Sequence, residues 1–173
     1  MKLKRIARIA SSRRAPARLR EQRVAYRAAL PGPLYCDASA LAKLYMPEPG
    51  SAEFNQSVDR RNDLVVSDLG VTEVVSALAR RVRQAEVTPE AARRVQHALV
   101  VGLDDGVYQR VELTPGVHRQ AEHFLSSLTK TPLRAADALH LALATSARAA
   151  SLASFDRRLS AAARAVGLAT YPA

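Results

Sequence analysis

From residue 34 onward, short apolar runs alternate with segments of helical period. Leu34-Tyr35-Cys36 predicts a first strand, and Ser39 to Tyr45 a helix that Pro47-Glu48-Pro49-Gly50 breaks. Residues 51–60 resume a helix and Leu64-Val65-Val66 form a second strand. Residues 69–85 then read as a helix with Ser67 or Asp68 as its N-cap. Three Thr-Pro pairs follow: Thr88-Pro89, Thr114-Pro115 and Thr131-Pro132. Each sets a capping hydroxyl before a residue that needs no N–H donor, which predicts helices over 89–101, 115–128 and 132–148. Tyr108 to Leu113 is the third strand and Ser151 to Phe155 the fourth. Residues 157–166 form a last helix with Gly167 as its C-cap, and Leu168 to Tyr171 a fifth short strand. The alternation predicts an α/β domain: a short parallel sheet of about four to five strands with helices on both faces.

The chain has 173 residues, enough for one compact domain with a sizeable core. Its net charge of +10 is unevenly placed. Residues 1–33 hold ten Lys or Arg against the single acid Glu21, a balance of +9; residues 34–173 hold 16 basic and 15 acidic residues, or +1. The body is therefore nearly neutral, and the sequence divides into a basic extension over 1–33, expected to be disordered, and a domain over 34–173. An Arg-rich leader of this kind is a nucleic-acid arm, a transit peptide or the product of a misplaced start codon. The clean opening of the domain after Pro31-Gly32-Pro33, and Leu19 and Val24 as alternative starts, favour the last. No apolar run approaches the roughly 18 residues of a membrane span, and the single Cys36 excludes an intrachain disulfide, so the expected home is the reducing cytoplasm.

The acids change the picture. In an open parallel sheet, ligands bind beyond the carboxyl ends of the strands. Asp37 follows the first strand and Asp156 the fourth, so parallel neighbours would put both carboxylates on one rim. A capping role accounts for either one taken singly. Asp137 lies in Ala135-Ala136-Asp137-Ala138-Leu139-His140-Leu141-Ala142-Leu143-Ala144, where only Asp137 and His140 are not apolar. A helix apolar nearly all round is buried. A carboxylate there needs a partner, which Arg134 or His140 would supply one turn away, and which a cation would supply better. Glu73 points away from the stripe of Val71, Val74, Val75, Leu78 and Val82, as a solvated glutamate would, yet its place in the first turns keeps it near the same rim. His97, His118, His123 and His140 show no zinc-type pair, and neither a Gly-rich phosphate loop nor a nucleophile elbow is present. Ser39 and Ser67 read as caps or carboxylate partners, and Lys43 as an ordinary surface lysine.

Taken together, the motifs resemble a known family. Tyr35-Cys36-Asp37-Ala38-Ser39-Ala40-Leu41-Ala42-Lys43-Leu44-Tyr45 with Glu48-Pro49-Gly50 is similar to the opening of PIN-domain toxins of the VapC type. Ser67 with Thr72-Glu73 resembles their second acidic motif, Leu133 to Ala142 the third, and Leu152-Ala153-Ser154-Phe155-Asp156-Arg157-Arg158-Leu159 the fourth. The resemblance covers residues 34–173 and leaves out the basic leader. It implies a PIN fold in which Asp37, Glu73, Asp137 and Asp156 bind Mg²⁺ or Mn²⁺, with Ser39 and Ser154 in support. It further implies endoribonuclease activity on transfer or ribosomal RNA, a homodimer, and a cognate VapB-type antitoxin. All-oxygen sites of this kind select hard cations, which suit in-line displacement at phosphorus.

Other readings fit less well. A haloacid-dehalogenase-type phosphotransferase needs a second Asp where Ser39 stands, and a response-regulator receiver needs paired acids and a late Lys that are missing. A non-catalytic RNA-binding module is the alternative from another class, and the complete set of four acids argues against it.

Overall fold

The computed structural model describes residues 30–173. The elements run β1 (Leu34–Cys36), α1 (Ala38–Tyr45), α2 (Ser51–Val58), β2 (Leu64–Ser67), α3 (Asp68–Arg83), α4 (Pro89–Asp104) and β3 (Gln109–Val111). After these come α5 (Pro115–Ser127), α6 (Ala135–Ser146), β4 (Ser151–Ala153), α7 (Arg157–Ala165) and β5 (Ala169–Tyr171). All the strand pairings are parallel, in the order β3-β2-β1-β4-β5. Leu34 sits opposite both Leu64 and Ser151, and Cys36 opposite Ala153. The chain winds outward from β1 through β2 to β3, then returns to lay β4 and β5 on the other side. β1 is therefore the strand at which the winding reverses, the place where α/β sheets open a crevice beyond their carboxyl ends.

Alternation along each strand explains why helices cover both faces. Tyr35, Val65 and Leu152 enter a core with Val117, Phe124, Leu141 and Leu159. Their neighbours Leu34, Cys36, Leu64, Val66 and Ala153 enter another with Leu41, Phe54, Val74, Leu78 and Leu99. Three strands have both faces buried and are accordingly apolar except for Ser67 at the end of β2 and Ser151 at the start of β4. β3 is an edge strand, and its Gln109 and Arg110 are exposed.

Two of the three Thr-Pro pairs start helices as expected. The Thr88 hydroxyl accepts from the Ala91 N–H at 3.2 Å, and that of Thr114 from Val117 at 3.3 Å. The third pair does not. Thr131 and Pro132 form a turn in which the Leu133 N–H reaches the Thr131 carbonyl at 2.8 Å, and the helix begins at Ala135. A Pro at the first helical position permits a helix without enforcing one, and here an acid three residues beyond Arg134 supplies the cap instead. Gly167, in the left-handed region at φ 88°, ends α7 as expected.

The expected disorder of the basic leader falls, for residues 1–29, outside the described residues. Residues 30–33 are docked. Arg61 donates to the Leu30 carbonyl at 2.7 Å, the Ser151 hydroxyl to that of Pro31 at 2.6 Å, and the Ala150 and Ser151 N–H groups to that of Pro33. A chain beginning at Leu30 should melt like the full chain, whereas one beginning at Leu34 should melt lower. Each lost hydrogen bond is worth about 1 kcal/mol, and each kcal/mol about 2–4 °C in a domain of this size. Equal melting of the two shortened chains would show that residues 30–33 contribute nothing.

Candidate active site

Asp37 directly follows β1 and is 5% exposed. The residue leaves the strand in an extended conformation and caps α1: Oδ1 accepts from the Ala40 N–H at 2.8 Å and from the Ser39 hydroxyl at 2.7 Å. Oδ2 accepts from the Ser154 hydroxyl, carried in just after the neighbouring strand β4, at 2.6 Å. Burial raises the Asp37 pKa above the ordinary carboxylate range, opposed by these hydrogen bonds and by His140. Three neutral donors hold the group, and among the described residues no Lys or Arg forms an ion pair with it. A buried carboxylate held this way is complementary to a cation and costly without one.

Asp156 stands on the same rim, because β1 and β4 are parallel neighbours. Ser154 links the two acids: its hydroxyl donates to Asp37, and its oxygen accepts from the Asp156 N–H at 3.0 Å. Asp156 itself is exposed and caps α7 through the Arg158 N–H at 2.7 Å. Ser39 makes a second tie across the rim, accepting from the Phe155 N–H at 2.8 Å. Both aspartates thus cap a helix while standing on one rim.

Glu73 is not the free, solvated glutamate its helical position suggests. Its Oε2 lies 2.7 Å from His140 Nε2. The His140 ring, 3% exposed, reaches with Nδ1 the Tyr35 hydroxyl at 2.7 Å, which in turn meets the Ser67 hydroxyl at 2.8 Å. Burial holds the Tyr35 phenol far above its ordinary pKa, so it stays protonated. Burial likewise pushes the Cys36 thiol up, which removes it as a thiolate ligand. Sequence reasoning did not anticipate that His140 would join Tyr35 to Glu73. The signal was its spacing: it is one turn from Asp137 in a helix otherwise apolar.

Asp137 is half-buried, in the first turn of α6, where Oδ2 accepts from the Arg134 N–H at 3.0 Å. Neither expected side-chain partner, the Arg134 guanidinium or His140, takes it. Lys43 also differs from expectation. It is buried, with Nζ 2.7 Å from the Pro49 carbonyl, 3.4 Å from Glu48 Oε2 and 4.4 Å from the centre of the Phe155 ring. Glu48 also pairs with Arg81. The Glu48-Pro49-Gly50 break is therefore a clamp on α1, with Gly50 in the left-handed region at φ 84°.

Among the described residues no three acid, His or Cys side chains stand together as a ready-made metal site. The acids are instead each engaged locally. Asp37 faces its hydroxyls, Glu73 faces His140, and Asp137 and Asp156 face the first turns of their helices.

The model of the PIN domain family matches residues 34–165. Ribonuclease VapC45 of Mycobacterium tuberculosis is 33% identical over 144 residues, which cover 81% of this chain and 95% of that protein. Among solved structures, the M. tuberculosis protein VapC20, described as a Sarcin-Ricin loop cleaving toxin, superposes with a TM-score of 0.61 at 18% identity. The match covers 75% of this chain and 95% of that one. FitAcB of Neisseria gonorrhoeae superposes with a TM-score of 0.58 at 14% identity, over 80% of this chain and 96% of that one. At such identities these two speak for the fold alone.

Proposed function

The chain belongs to the PIN-domain family, with VapC ribonucleases as its relatives, and from that premise we propose that its carboxylate rim cuts RNA with the help of Mg²⁺ or Mn²⁺. It is an endoribonuclease of the toxin–antitoxin type. The finer assignment makes Asp37, Glu73 and Asp137 the principal ligands, with Asp156 beside them and Ser39 and Ser154 orienting Asp37. The observation that carries it is Asp37: a buried carboxylate at the point where the sheet's winding reverses, held by three neutral donors and no cation of the protein.

The donor set is all oxygen, which fits a hard divalent ion. When bound, such an ion supplies charge neutralisation at a scissile phosphate and acidifies a water. The chain's own residues do the rest. Ser39 and Ser154 keep both oxygens of Asp37 in fixed directions, and Ser154 couples Asp37 to the Asp156 backbone. Arg134, Arg157 and Arg158 are exposed next to Asp137 and Asp156 in the chain, and they offer guanidinium groups to a phosphate backbone. Transfer RNA and ribosomal RNA are the substrate classes.

The partners we propose are a VapB-type antitoxin and a second copy of the chain. The exposed Val100, Val101 and Val107 provide apolar surface for such contacts. We place the protein in the cytoplasm. Among the described residues no helix is long and apolar enough to cross a membrane.

Asp137→Asn tests the assignment against a non-catalytic RNA-binding module. The amide oxygen can still accept from the Arg134 N–H, so metal-free melting should hold, while RNA cleavage by the purified protein should fall on the order of 100-fold. Full cleavage by this variant would place the site elsewhere. Binding of RNA without any cleavage by the unmodified chain would favour the module.

A further inference from the structure

Four elements meet in one line of hydrogen bonds beneath the rim. Ser67, at the end of β2, accepts from the Gly70 N–H at 3.1 Å and lies 2.8 Å from the hydroxyl of Tyr35 on β1. That hydroxyl lies 2.7 Å from Nδ1 of His140 on α6, and Nε2 of the same ring lies 2.7 Å from Oε2 of Glu73 on α3. One direction follows from the inventory of donors: a carboxylate only accepts, so Nε2 carries the proton shared with Glu73. On the other side of the ring Nδ1 is held by the Tyr35 hydroxyl, which Ser67 holds in turn, and the line ends at Glu73.

We propose that His140 is a positioning residue that holds one oxygen of Glu73 and leaves the other to face the divalent cation, with Tyr35 and Ser67 fixing the orientation of the imidazole. This rests on reading Glu73 as a ligand. A half-exposed glutamate on the outer side of a helix has many rotamers, and a ring fixed by a buried phenol selects one of them. A core histidine needing only satisfaction would have been served by Tyr35 and a water. Here it spans from the core to a carboxylate of the rim.

The test compares two near-isosteres in the full chain, read by Mn²⁺ titration calorimetry without RNA. In His140→Gln the amide nitrogen takes the place of Nε2 and still donates to Glu73. In His140→Asn the amide takes the place of Nδ1 and leaves Glu73 unheld. Both lose the ring, so packing damage should lower metal-free melting in both alike. Positioning separates them: His140→Asn should bind Mn²⁺ about tenfold more weakly, and His140→Gln within about threefold of the unmodified chain. Tyr35→Phe should fall between, and kcat for RNA should fall in His140→Asn with KM little changed. Equal Mn²⁺ affinity in the Asn and Gln variants, with Glu73→Gln still weak, overturns the positioning role. Unchanged affinity in Glu73→Gln removes the ligand reading, and the proposal with it. Should His140→Asn not fold, Tyr35→Phe decides, and an affinity equal to the unmodified chain's overturns the proposal.

Discussion

Asp37→Asn should abolish RNA cleavage and at the same time leave the metal-free protein as stable as the unmodified chain, or more so. The two effects have one cause. Asp37 is buried, and burial raises its pKa, opposed only by hydrogen bonds from Ser154, Ala40 and Ser39 and by His140. Folding therefore disfavours the charged form. The unfolded chain releases this proton near the ordinary Asp value of about 3.9 and the folded chain at a higher pH. Between the two the native state binds more protons, so stability falls as pH rises through that window and stays lower above it. Asparagine keeps an oxygen for Ala40 and Ser39, and the Ser154 oxygen can receive its amide. The variant should thus lack that fall in stability, while cleavage drops on the order of 100-fold or more. Melting curves across the acid range, with and without Mg²⁺, measure the first effect and a cleavage assay the second. A destabilised metal-free variant that still cleaves RNA would refute both halves.

Metal removal should have an effect as large. In chelator, cleavage should vanish and then return with Mg²⁺ or Mn²⁺, whereas Zn²⁺, which prefers nitrogen and sulfur donors, should restore it poorly. Because a cation on this rim binds the folded state alone, it should also raise the melting temperature. At a concentration of 100 times its Kd the gain is about 2.7 kcal/mol, equivalent to roughly 5–10 °C. The shift should disappear in Asp37→Asn. Cleavage that persists in chelator, with no melting shift on adding Mn²⁺, would point to metal-free acid–base chemistry, for which neither the buried Cys36 nor the isolated histidines of the outer helices offer a set of groups.

Much of this molecule was legible in its sequence because local rules sufficed. Unbroken apolar triplets named the first two strands buried on both faces, and Thr-Pro pairs named two helix starts. Asp37 and Asp156 followed from a strand's end and a helix's beginning, both properties of adjacent residues. Tertiary structure alone decided the rest. It placed β1 at the reversal of winding, which depends on which strands pair. It turned Lys43 inward, since the clamp needs Pro49 and Phe155, a residue over a hundred positions away. It left Thr131-Pro132 as a turn because Asp137 caps α6 from within. It tied Glu73 to His140 across 67 residues, and His140 to Tyr35 across 105. Spacing along a chain reports which side chains share a helix face or a strand. Which polar groups must satisfy one another inside the core is settled only when separate elements have packed and water has been excluded.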